Sequence, residues 1–218
     1  MTDTYGIDLY TRNDALLRML GRLRQHIDIN RMVSLNATHP RVGDLEIGPF
    51  MEYVQNTSLQ MIAMQICKIY EPTNKRFRLN SIPAIAAALD QLAFEQTAAS
   101  ELDAFGKVYA PHLEAIPTAK YVKNICDHML SKNAVELDRL KEFRDKVGAH
   151  SEAGISIHNL PSHDVFERLF KFGIEFYRVV RRTLQDVGPY TVGHHVNPAF
   201  VRLLKAAGLT YPKLRFEE

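Results

Sequence analysis

The sequence has few of the features that mark secreted or membrane-spanning proteins. Its 218 residues include only two cysteines, too few for a disulfide framework, so a reducing compartment fits best. The first residues, MTDTYGIDLYTRND, carry no apolar stretch behind a basic start, so they do not have the form of a signal peptide. We therefore expect a protein that is not exported and that works in the cytoplasm.

Long hydrophobic runs and an excess of charge of one sign are missing too. The longest uncharged run, from Tyr53 to Cys67, has 15 residues and contains several amide and hydroxyl side chains. A membrane span needs about 20 apolar residues, so we expect no membrane partner. The net charge is +2 with histidine counted as neutral, so any surface that binds nucleic acid must be a local patch.

Apolar residues recur at helical spacing along most of the chain and almost nowhere at strand spacing. Leu16, Leu20, Leu23 and Ile27 form one stripe of a first helix, which ends before the turn-rich segment THPRVGDLEIGP. A second helix, from Phe50 to Tyr70, is apolar around most of its circumference, which is typical of the centre of a bundle.

Capping and breaking residues predict the remaining helices. Asn133 followed by Glu136 has the form of a capping box that starts a helix at Ala134, and Gly148 is expected to stop it near Val147. The other predicted elements are helices at residues 82–89 and from about Ser162 to Asp186, helical segments within 90–131 interrupted at Gly106, Pro111 and Pro117, and a tail helix between Asn197 and Gly208. The sequence thus predicts one all-α domain over residues 1–218, an antiparallel helical bundle with an N-terminal helix (1–38) and a short helix in the C-terminal tail (191–218).

The stretch FRDKVGAHSE, residues 143–152, contains the most distinctive polar residues of this bundle. Arg144 and His150 flank the apolar stripe of the helix that starts at Ala134, and they are about 120° apart around its axis. The two side chains meet only if Gly148 breaks the helix or if a second copy of the chain faces it. Arginine and histidine at the edges of an apolar stripe are also common as solvated rim residues, and that interpretation stays open.

In this arrangement the chain resembles HEPN domains, which are helical bundles that bind nucleotides. It is most similar to their AbiU-type branch, which is named for abortive phage infection. HEPN ribonucleases carry an arginine, a polar residue and a histidine after four to six intervening residues, and Arg144, Asp145 and His150 match that motif. The order of segments in this branch matches three stretches of the chain, over a core of about residues 45–190. They are ICKIYEPTNKRFRLNSIPAIAAAL, LKEFRDKVGAHSE and LPSHDVFERLFKFGIEFYRVV. Lys68 and Glu71 depart from the branch, which has Arg and Asp there.

The resemblance implies a metal-independent endoribonuclease, a toxin or phage-defence effector without a cofactor. Its partners would be RNA, a second copy of the chain, and an antitoxin or another regulatory protein. His150 would move a proton near neutral pH, while Arg144 would stabilise the negative charge that develops on the phosphate. Asp145 would orient either of them. The expected RNA-binding residues are Lys146, Ser151, Lys75, Arg76 and Arg78.

Two other functions fit the same sequence. One is a HEPN module without catalysis that binds RNA or a nucleotide through Arg144 and His150, and the other is a helical protein-interaction domain. The carboxylates Asp138 and Glu142, one helical turn apart, are interpreted as part of a solvated face. No glycine-rich phosphate loop is present in the sequence.

Overall fold

The computed structural model describes residues 3–39, 47–74, 76, 78–89, 99–113, 119–150, 160–185 and 198–209. Within these ranges the chain forms eight helices and no strand, which confirms the predicted all-α class. The helices are α1 (Asp3–Asn36), α2 (Ile47–Ile69), α3 (Ile82–Leu89), α4 (Ala99–Tyr109), α5 (Ala119–Lys132), α6 (Ala134–His150), α7 (His163–Gln185) and α8 (Pro198–Ala206).

The main core lies where α1 packs against α2 and α7, with α6 on the far side of α2 and with α4 against α7. Two stripes predicted from the sequence form much of it. The α1 side chains Leu16, Leu20, Leu23 and Ile27 are fully buried, and the α7 side chains Val165, Leu169, Phe172, Phe176 and Val179 are all buried. Because the α1 stripe belongs to the same cluster as α7, this N-terminal helix is an integral part of the packed bundle.

A second, smaller apolar cluster holds α8 against the ends of α1 and α2. It contains Met32, Val33, Met51, Leu204 and Leu209. The stop predicted at Gly208 is confirmed, because this residue has a φ of 70°. The N–H of Leu209 donates to the carbonyl of Leu204 at 2.8 Å, and the N–H of Gly208 donates to that of Lys205 at 3.0 Å, the bond pair of a Schellman motif.

Two glycines predicted to interrupt helices lie inside them instead. Helix α4 continues through Gly106 and α6 continues through Gly148 to His150, so both predictions were wrong. A Cβ at position 106 would lie 2.6 Å from Cζ of the buried Tyr121, so glycine permits a close helix contact there. At Gly148, the cost of about 1 kcal/mol for one glycine in a helix interior is too small to end the helix.

A buried ion cluster links α1 to α7. Nη1 of Arg24 donates to Oε2 of Glu167 at 2.8 Å, and Nη2 donates to Asp28 one turn further along α1. Nε2 of His163 lies 3.5 Å from Oε1 of Glu167. Burial alone would raise the pKa of Glu167, but His163 and Arg24 together lower it below its ordinary value. The carboxylate therefore stays ionised in the folded protein at neutral pH.

Asn133, the single residue between α5 and α6, fixes where α6 begins. Its side chain is fully buried; Nδ2 donates to the carbonyl of Met129 at 2.8 Å, and Oδ1 accepts from Arg168 Nε and Nη2 at 3.1 and 2.9 Å. Glu136 lies 3.6 Å from the same arginine. The start predicted at Ala134 is confirmed, and both side chains of the expected capping box are bound to Arg168 of α7.

Candidate functional site

A groove of about 370 Å³ lies between α6 and the C-terminal end of α2. One wall is a face of α6, whose lining residues follow each other at helical spacing. They are Ala134, Leu137, Asp138, Lys141 and Arg144. The remaining lining residues come from α2, from the segment that follows it and from α5: Cys67, Tyr70, Glu71, Pro72 and Leu130.

Arg144 lines this groove and is hydrogen-bonded to Asp145. Its Nε and Nη2 atoms both donate to Oδ1 of Asp145, at 2.8 and 2.6 Å. About a third of the Arg144 side chain, 34 %, is exposed. The hydrogen bond with Asp145 is the main cause that raises the pKa of Arg144, and Glu71 adds to it. The guanidinium is therefore a permanent cation that solvent and a ligand can reach.

The charged groups gather at one end of the groove. Cys67, Glu71, Lys141 and Arg144 all line it, and the charges of Arg144, Asp145, Lys141 and Glu71 act on the Cys67 thiol. Burial is the main cause that raises the pKa of Cys67, which keeps the thiol protonated. A protonated thiol is a weak nucleophile, so we assign Cys67 to the wall of the groove.

Tyr70 forms a fixed part of the groove on the opposite side from α6. Its hydroxyl donates to the carbonyl of Leu169 in α7 at 2.6 Å, and burial raises the pKa of Tyr70 well above its usual range. The hydroxyl is thus kept neutral and bonded to the core. What Tyr70 offers to the groove is mainly ring surface.

The structure brings some of the predicted site residues together and leaves others elsewhere. Arg144 and Asp145 form one pair at the groove, whereas Lys146 is bound to Glu142 on the exposed side of α6. Arg78 lies 3.6 Å from Asp8 of α1. Arg76 is exposed in the segment between α2 and α3, where its backbone N–H donates to Asn74 at 2.8 Å. None of the three lines the groove.

Three of the predicted site residues cannot be placed in the same way. Ser151 and Lys75 lie outside the described residues, and His150 is described only as the last residue of α6. Because α6 is unbroken from Arg144 to His150, the two positions remain about 120° apart around its axis. A break at Gly148 therefore does not bring them together in one chain.

Sequence reasoning missed the residues that build the groove around Arg144. Lys141 was not among the predicted site residues, and Asp138 was interpreted as part of a solvated face. Asp138 is exposed, but it borders the groove. The available signal was the spacing of positions 134, 137, 138, 141 and 144, which places them on one side of α6. The buried residues Leu140 and Phe143 lie beside that face.

The described ranges contain neither a metal-binding cluster nor a membrane span. No three His, Cys, Asp or Glu side chains in these ranges cluster so that they could hold a metal ion. No helix described here is both long enough and apolar enough to cross a membrane.

Comparison of the chain with protein-family models, with curated proteins and with solved structures finds no match. The function of the groove has therefore to be inferred from its own chemistry and from the sequence motif beside it.

Proposed function

We propose that the chain is a cytoplasmic, metal-independent endoribonuclease of the HEPN type that acts as a toxin or phage-defence effector. One observation supports this function most. Two of the three segments of the sequence resemblance, which are far apart in the chain, line the same groove: one supplies Arg144, and the other supplies Cys67, Tyr70, Glu71 and Pro72. A groove with a permanent cation at its charged end suits an RNA phosphate.

In this proposal the RNA supplies its own nucleophile, the 2′-hydroxyl, which attacks the adjacent phosphorus while the bond to the 5′-oxygen breaks. Arg144 stabilises the negative charge that builds up on the phosphate. Asp145 holds the guanidinium in place through the two bonds to Oδ1. His150 accepts the proton of the 2′-hydroxyl and donates it to the departing 5′-oxygen, because a histidine with an unperturbed pKa of about 6.5 changes charge near neutral pH.

The unbroken α6 supports a site shared by two copies of the chain. In a two-fold dimer every contact occurs twice with the roles exchanged, so Arg144 of one copy can meet His150 of the other. The α2 side chains Phe50, Tyr53 and Met64 are 45 %, 68 % and 37 % exposed. They lie along one face of α2, and in this proposal that face takes part in the contact with the second copy.

The experiment compares wild type with Arg144→Ala and with Arg139→Ala, an exposed arginine of α6 outside the groove. We expect Arg144→Ala to lower RNA cleavage by about 10²-fold or more, as the loss of a charge-stabilising group does. Arg139→Ala should cleave like wild type. The melting temperature of Arg144→Ala should change little, because an exposed ion pair contributes roughly 0–1 kcal/mol.

The products report on the chemistry independently. In excess EDTA the wild type should still cleave RNA, leaving a 2′,3′-cyclic phosphate or a 3′-phosphate and a 5′-hydroxyl, since the nucleophile belongs to the RNA. Induced expression should arrest growth with the wild type but not with Arg144→Ala. Equal cleavage by all three proteins, or activity that is lost on chelation and restored by magnesium, would count against the proposal.

A second candidate is binding of RNA or a nucleotide without turnover. It is favoured by the fact that the described groove is formed within one chain and is lined by Arg144. Tight binding that depends on Arg144, together with no cleavage by any preparation, would select this candidate.

A further inference from the structure

The groove changes in chemical character along α6. Leu130, Ala134 and Leu137 line one end, and two cations, Lys141 and Arg144, line the other together with Glu71. Ala134 and Arg144 are separated by roughly 15 Å along the axis, since each residue of an α-helix rises about 1.5 Å. The volume of about 370 Å³ is near the lower end of the range of roughly 300–1,000 Å³ for small-ligand sites. The groove therefore suits one partly apolar ligand with an anionic end.

Besides Arg144, three charged side chains line the groove, namely Glu71, Asp138 and Lys141. Asp138 and Lys141 make no hydrogen bond or ion pair with any other residue that the structure describes, and both are exposed. Further along α6, Arg144 is bonded to Asp145 and Lys146 to Glu142, and only Arg144 of these four lines the groove. Among the described residues, the groove thus offers an unbonded acceptor, Asp138, beside its apolar end, and an unbonded cation, Lys141, near Arg144 and Glu71.

We infer that the groove binds one unpaired guanosine of the RNA substrate, an assignment that rests on the proposed ribonuclease function. The base lies over Ala134 and Leu137, and its 3′-phosphate meets Lys141 and Arg144. Asp138 accepts two hydrogen bonds from the base, as an ionised carboxylate can. Guanine is the only one of the four RNA bases whose Watson–Crick edge presents two adjacent N–H donors, N1–H and N2–H.

This assignment limits the substrate as well as the base. A guanine whose Watson–Crick edge is bonded to Asp138 cannot be paired at the same time, so the groove selects single-stranded loops and ends. The phosphate held at Arg144 is the one on the 3′ side of the bound guanosine. Cleavage should therefore follow guanosine in unpaired RNA.

The direct test is isothermal titration calorimetry of the protein with each of the four nucleoside 3′-monophosphates. We expect 3′-GMP to bind at least about fivefold more tightly than 3′-UMP, the lower bound for a good bidentate base contact. Asp138→Asn should remove this preference because its amide keeps only one acceptor oxygen and sets an N–H group against the second donor of guanine. Asp127→Asn is the matched control, since Asp127 is an exposed carboxylate of α5 bonded to Lys123 and outside the lining.

Equal affinity for all four nucleotides, or an unchanged preference in Asp138→Asn, overturns the guanine site. Two single-stranded 2′-deoxy pentamers, one with a central guanine and one without, test whether the site receives nucleic acid. If 3′-GMP is preferred while the two pentamers bind equally, the groove binds a free nucleotide and the RNA assignment is wrong.

Cleavage assays keep this inference separate from the proposed function. Guanine-selective binding of nucleotide and pentamer, with no cleavage of RNA, would refute the ribonuclease and leave the base site standing. Cleavage of RNA without a guanine preference in binding or in the cut positions would refute the base site alone.

Discussion

Mixing two inactive variants should restore activity if the site is shared between two copies of the chain. Arg144→Ala lacks the cation for the phosphate, and His150→Ala lacks the group that transfers the proton. Each variant alone has no complete site. A dimer that contains one chain of each kind combines the intact arginine of one with the intact histidine of the other.

The size of the recovery follows from the helix and from the symmetry. Because α6 is continuous through Gly148, positions 144 and 150 are separated by about 120° and each site draws on both chains. Random exchange of equal amounts makes half of the dimers mixed, and each of these has one intact site of two. The mixture should therefore reach about one quarter of the wild-type activity, against zero for a site within one chain.

The assay needs proof that mixed dimers form. Equal amounts of the two variants are unfolded and refolded together, native mass spectrometry of chains with different tags measures the mixed species, and RNA cleavage is followed on the same sample. A mixture of His150→Ala with Arg139→Ala is the control. It should give about one half of the activity in either arrangement, because Arg139→Ala keeps both active-site groups.

Two results would refute the shared site. One is a mixture of Arg144→Ala and His150→Ala that contains mixed dimers but is no more active than either variant alone. The other is a wild type whose activity per chain stays constant down to concentrations at which sedimentation finds only monomers.

Three further changes test the fold. Gly106→Ala should destabilise the protein by about 1–3 kcal/mol, the usual cost of overpacking, because the new methyl group meets Tyr121. Gly21→Ala, which meets nothing within 4 Å, should stabilise it by about 0.4–1 kcal/mol; equal melting temperatures for the two variants would contradict this packing. The pKa of Glu167 is lowered from 4.5, so its ion pairs stabilise the fold above pH 4.5 and are lost as the pH falls through the lower folded-state value. Glu167→Gln should flatten the acid side of the curve of melting temperature against pH, and an unchanged slope would argue against this cause.

The fold was predictable where apolar spacing reports directly on burial. The stripes of α1 and α7 could be identified because a helix that packs along one face repeats its buried residues every three or four positions. Helix ends were harder to predict at glycines. Whether Gly106 ends a helix or passes close to Tyr121 depends on α5, which lies further along the chain, and local spacing does not report that contact.

The candidate site was predictable only in part for the same reason. Arg144 and Asp145 are neighbours in sequence, so their pairing needs no tertiary information. The groove also needs Cys67 from α2, Tyr70 from the segment that follows α2, and Leu130 from α5. Asp138 looks like any exposed carboxylate in a helical pattern, and only the packing of α2 against α6 places it beside a groove.

Asn133, which does not line the groove, determines where its α6 wall begins. Asn133 is fully buried, and its amide is bonded both to Met129 behind it and to Arg168 of α7. A buried amide left without these partners would cost about 1–3 kcal/mol, so the bonds hold the start of α6 in one place. From that start the helical repeat dictates where Leu137, Lys141 and Arg144 lie. The sequence pattern of Asn133 and Glu136 correctly predicts where the helix begins, but it does not reveal that both side chains bind α7. That long-range contact fixes how α6 faces α2, and hence which of its charges border the groove.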